Sequence, residues 1–133
     1  MIRAVTGAAI AGSLFLLASQ AAQAQSAAEG VWLTEPMRTG DYAHVEVAPC
    51  APGETRLCGR IVEVFNSERT DLVGAVILKD MAAVGQGVWD GGHLWSPDKD
   101  KHYASKMALL DKGLQVKGCV GALCKGQVWR RVR

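Results

Sequence analysis

Eight short runs in which apolar and polar residues alternate, each ended by Gly, Pro, Asp or Ser, constrain this chain more than any other feature. They are Val31 to Thr34, Tyr42 to Ala48, Leu57 to Phe65, Ala75 to Met81, Val88 to Ser96, His102 to Leu110, Leu114 to Val120 and Cys124 to Val132. A period of two with turn residues between runs predicts β-strands, and no segment sustains a helical period. Asp111-Lys112-Gly113 between two apolar-rich runs is a hairpin signal. Ser67 to Leu72 is the one stretch that can form a helical turn. Eight strands with tight connections must hide their edges. Closure into a small antiparallel up-and-down barrel does so completely, with a sandwich as the alternative. At eight strands the interior holds either packed side chains or one small ligand.

The N-terminus is of a different kind. Met1-Ile2-Arg3 precedes an uncharged stretch from Ala4 to Ala18 centred on Leu14, Phe15, Leu16 and Leu17, followed by Ala22-Gln23-Ala24. One basic residue, an apolar run shorter than the roughly 18 residues of a membrane span, and small residues before a cut predict a secretory signal peptide over residues 1–24, cleaved between Ala24 and Gln25. No cysteine stands at the cut for lipidation, and no Arg-Arg pair marks the twin-arginine route. The expected location is the periplasm, with residues 25–133 forming one domain and no transmembrane span left after cleavage. With Arg3 removed the formal net charge is +1, a balance that does not point to nucleic acid.

A domain of this size buries only about 65% of its unfolded surface, so covalent help matters. Cys50, Cys58, Cys119 and Cys124 supply an even number of thiols in a chain bound for an oxidising compartment. Of three possible pairings, Cys50 with Cys58 and Cys119 with Cys124 are favoured because each pair brackets a turn. Neither spacing is that of a zinc knuckle.

Gly30-Val31-Trp32 opens the first strand and Trp129-Arg130-Arg131 lies on the last. In a closed barrel these strands are neighbours, so Trp32 can plug one end beneath an arginine of the closing strand, with Gly30, Trp129 and Arg131 completing the closure. The arrangement resembles the Gly-x-Trp and closing-strand Arg of the lipocalins. The order of Gly30-x-Trp32, Leu57 to Val62, Leu72 to Leu78 and Trp89-Asp90-Gly91-Gly92 also resembles the bacterial domain-of-unknown-function family 2147. Ser96-Pro97-Asp98, Lys101-x-Tyr103, Leu114-x-Val116-Lys117-Gly118 and Trp129-x-Arg131-Val132 continue the likeness over nearly the whole mature chain. The resemblance implies exported proteins with a lipocalin-like barrel and no settled biochemical role. The segment between Phe65 and Gly74 is shorter than the Asn-Pro-containing, Arg-rich loop common in that family.

Catalytic chemistry is not legible. His44, His93 and His102 stand on different predicted strands without metal-ligand spacing, and Asp98-x-Asp100 lacks the Gly and Glu of a calcium loop, having Tyr103 and Leu109 in their places. Ser67, Ser96 and Ser105 lie outside any nucleophile elbow, and Asp71 with Asp90 can act as an acid–base pair only if the fold joins them. No enzyme activity and no cofactor are therefore expected. Aromatic placement is more informative. By period two, Trp89 and Trp95 share one face of the fifth strand, and Tyr103 and Met107 one face of the sixth, its hairpin partner. The expected function is binding of a small hydrophobic or amphipathic ligand by Trp89, Trp95, Tyr103 and Met107, with His93 as a polar contact. The Gly91-Gly92 pair can interrupt this face. The alternative is an envelope interaction module with a filled barrel and an exposed apolar patch; its protein partner is not specified by any residue.

Overall fold

A computed structural model describes Gly7 and residues 27–133, and the expected signal peptide with its Ala24/Gln25 cleavage site lies outside the described residues apart from Gly7. Eight strands follow one another: β1 (Gly30–Leu33), β2 (Tyr42–Pro49), β3 (Leu57–Phe65), β4 (Val76–Gly85), β5 (Val88–Ser96), β6 (Lys101–Leu110), β7 (Gly113–Val120) and β8 (Leu123–Arg131). Each pairs antiparallel with the next, and β8 pairs back onto β1, so the sheet is a closed up-and-down barrel. The sandwich alternative is thereby excluded. A 3₁₀ turn, Thr70–Leu72, occupies the C-terminal part of the stretch with helical potential.

The largest departure from the periodicity concerns β4. Alternation stops at Met81 because Met81-Ala82-Ala83-Val84 is apolar throughout, yet pairing with β5 carries the strand on to Gly85. Backbone ladders, rather than side-chain pattern, hold those last residues.

The topology divides the molecule into two ends. Connections β2–β3, β4–β5 and β6–β7 gather at one, here called the floor, together with the chain around Ala28 and Arg133. Connections β1–β2, β3–β4, β5–β6 and β7–β8 gather at the other, the mouth.

The floor is densely filled. Trp32, Trp89, Leu57, Leu78, Met81 and Leu114 are among the largest fully buried side chains. The Trp32 indole N–H donates to the Ala28 carbonyl at 2.9 Å, which lets the ring be buried without leaving a polar atom orphaned. The Arg131 guanidinium lies 4.2 Å from the centre of the Trp32 ring, and its amino groups donate to the carbonyls of Glu29 and Ala27. This cation–π contact contributes on the order of 1 kcal/mol. Gly30 makes the closure possible: its φ is +141°, and a Cβ there would stand 2.5 Å from the Arg133 carbonyl oxygen and 2.7 Å from Arg131 Nη1.

The cysteines pair Cys50–Cys58 and Cys119–Cys124, and no free cysteine remains. The first staples the β2–β3 connection at the floor. The second links β7 to β8 just before their two-residue turn at the mouth. Each closes a short loop, stabilising by about 2 kcal/mol on the chain-entropy account.

Candidate functional site

At the mouth the inward positions are smaller and the ladders separate. Ala43 and Gly118 offer little volume, and two seams open between strands. On one side β1 is only four residues long and pairs with β8 at Trp32↔Arg131 and Leu33↔Arg130, leaving residues 123–128 of β8 beyond its reach. On the other, β3 beyond Ile61 leaves β4, because the chain from residue 66 to residue 75 turns away through the 3₁₀ turn and rejoins through Gly74 N–H to the Ile61 carbonyl.

Fewer large side chains and parted strands leave a cavity of about 560 Å³ that runs down from the mouth. Ile61, Val64, Ile77, Leu94, Val116 and Trp129 line its interior, and Leu72 enters from the 3₁₀ turn. The rim adds Arg38, Asp41, Trp95, Asp98, Lys99, Val120, Leu123 and Lys125. The volume falls within the range of roughly 300–1,000 Å³ typical of small-molecule sites.

The β1–β8 seam is bridged by side chains in place of a strand. The Glu35 carboxylate accepts the Val128 backbone N–H at 2.6 Å. The Gln127 side-chain oxygen accepts from both Glu35 N–H at 3.2 Å and the Trp129 indole at 2.8 Å. The β1–β2 connection is thus clasped to β8 beside the cavity. Above the other seam, Arg69 meets Asp71 through paired hydrogen bonds of 3.0 Å. That hydrogen bonding holds the Asp71 carboxyl below its ordinary range and raises the arginine, but both side chains are exposed, so the pair fixes a turn and forms no reactive centre.

The sequence profile of a family described as "Uncharacterized protein conserved in bacteria (DUF2147)" matches residues 30–131, which is the whole barrel. The chain belongs to this family. Among curated proteins none matches by sequence. The DUF2147 barrel is similar to the solved structure titled "Protein HP1028 from the human pathogen Helicobacter pylori belongs to the lipocalin family". The TM-score is 0.65, with 18% identity over 80% of this chain and 83% of that one. At that identity the likeness is one of fold, so this DUF2147 member is a lipocalin-like β-barrel.

The five residues singled out as ligand contacts fall in three places. Trp95 and Tyr103 line the DUF2147 cavity, and the Trp95 indole donates to Asp100 at 2.9 Å. Trp89 and Met107 pair across β5 and β6 and are buried in the core. His93 is exposed on the outer face. The expected shared face of Trp89 and Trp95 does not form, because the β5–β6 register shifts between Trp89 and Gly92, with Gly91 at φ +74°. This bulge changes the parity of β5, so that Gly92 and Leu94, not Gly91 and His93, continue the inward row. Gly92 also lets β4 approach: a Cβ there would meet the Lys79 carbonyl oxygen at 2.5 Å.

Asp71 and Asp90 stand near opposite ends of the barrel, on the β3–β4 connection and beside the β4–β5 turn. Cys50, Cys58 and Asp80 come close enough to suggest a metal site, but both sulfurs are committed to their disulfide. No helix among the described residues is long and apolar enough to cross a membrane. Periodicity alone missed Ile61, Val64, Ile77, Leu94 and Val116. The row Leu114, Val116, Gly118 on β7 carried a readable signal, large residues giving way to none toward the mouth.

Proposed function

We propose that this protein is an exported periplasmic binding protein that holds a small hydrophobic or amphipathic molecule in the mouth of its barrel. The observation that carries the reading is the apolar cavity of about 560 Å³ between the two seams. A barrel that served only as a scaffold would gain stability by filling that space, since unfilled apolar volume costs dispersion contacts. Two disulfides suit an oxidising compartment, and the N-terminal segment supplies a route to it, with cleavage after Ala24. Trp95 and Tyr103 border the bound molecule in this reading, while Trp89 and Met107 support the cavity from beneath.

Native mass spectrometry of the oxidised mature protein purified from periplasm, paired with solvent extraction, tests the reading. A co-purifying apolar molecule, lost in Val116→Trp, supports it. An empty protein that takes up no hydrophobic dye contradicts it.

A further inference from the structure

We propose that the bound molecule is an amphipathic anion, an alkyl chain ending in a carboxylate, whose head is held at the mouth by Lys125. This assignment rests on the cavity being a ligand site and adds its charge preference. The pairing of β7 with β8 sets the geometry. Leu114↔Trp129 is buried, so strict alternation along the hairpin turns Val116↔Gln127, Gly118↔Lys125 and Val120↔Leu123 toward the interior as well. All six of the latter residues line the cavity.

Lys125 is exposed at the rim yet stands in the inward row, two residues from an exposed leucine above and two from a glutamine below. Its cross-strand neighbour is Gly118, which has no side chain to meet it. The far side of that gap is formed by Tyr103, whose ring would stand 3.6 Å from a Cβ at position 118. Lys125 and Tyr103 thus line the cavity on either side of the space that Gly118 leaves, above an apolar interior.

Two of the three carboxylates that share the cavity are held by local hydrogen bonds. Glu35 accepts from the Val128 backbone and Asp41 accepts from the Thr39 hydroxyl, while Asp98 lies on the β5–β6 connection at the rim. Arg38, Lys99 and Lys125, the three cations lining the cavity, have no carboxylate within 4.0 Å among the described residues. Lys125, in the inward row and with no carboxylate beside it, is the lining cation placed to meet an anionic head at the rim, through a charge-assisted hydrogen bond. From Lys125 to Trp129 the wall descends about 10 Å once strand tilt is allowed for, which suits an extended chain of about eight to ten carbons.

The test is calorimetric titration of the oxidised, solvent-stripped mature protein with decanoate and with 1-decanol. Decanoate is expected to bind about tenfold more tightly than decanol. Lys125→Met should bring decanoate down to the decanol level, and Lys125→Arg should keep most of the preference. Equal affinity of the wild type for the two probes, or an unaltered preference in Lys125→Met with its fold intact by circular dichroism, overturns the head-group assignment and leaves the cavity reading standing. Binding of neither probe overturns both.

Discussion

The two ends of this barrel are built from the same strands, yet they solve different problems. At the floor, Trp32, Leu57, Met81 and Leu114 fill the interior, and the closing strand lays Arg131 over the Trp32 ring. At the mouth, Ala43 and Gly118 occupy inward positions, β1 ends early, and side chains of Glu35 and Gln127 stand in for a missing ladder. One end is closed by packing, and among the described residues the Trp89 indole N–H is the one buried side-chain polar atom without a hydrogen-bond partner. The other is left open where small inward residues and parted strands leave space. The difference shows how one small β domain keeps a hollow: the stability concentrates at the floor, and the mouth is relieved of the duty to pack.

That division can be broken at the floor. Trp32→Ala removes a buried indole and its partner contacts, and should destabilise by about 3–5 kcal/mol in urea denaturation. A loss below 1 kcal/mol would mean that the floor is not the stable end. Replacing either cysteine pair by serine should cost about 2 kcal/mol, since the two loops are similarly short. The pairs separate on binding: loss of Cys119–Cys124 should weaken decanoate affinity because it frees the hairpin bearing Lys125, whereas loss of Cys50–Cys58 should leave that affinity in place. Arg131→Met keeps the length of the side chain without its charge or donors, and should lower stability by about 1 kcal/mol. Glu35→Ala sharpens the comparison most gently. The Val128 amide should exchange about tenfold faster in hydrogen-exchange measurements, while the amides of β3 around Leu57 remain as protected as before.

Much of the fold was legible because strand alternation and turn chemistry agreed with each other along the chain. Gly30, Trp32 and Arg131 are placed against one another by the sequence pattern itself, since closure makes the first and last strands neighbours. The disulfides followed from spacing that brackets turns. The site was less legible, for two physical reasons. A bulge shifts every side chain beyond it to the opposite face, and Gly91-Gly92 announced an interruption of β5 without its direction; Leu94 took the inward place that period two had given to Trp95. The seams come from strand lengths, and the end of β1 at Leu33 is set by where the chain departs from β8, which no local pattern encodes. Lys125 was hidden in a third way, because a lysine in an alternating strand is ordinarily read as facing water.

The four tryptophans report on both ends at once, and their indole N–H signals in a ¹H–¹⁵N spectrum are the most direct test of a solid floor beneath a binding mouth. On titration with decanoate, the account predicts that the Trp95 and Trp129 signals shift together and saturate, while those of Trp32 and Trp89 stay in place. Four unmoved signals, or shifts confined to Trp32 and Trp89, would contradict it.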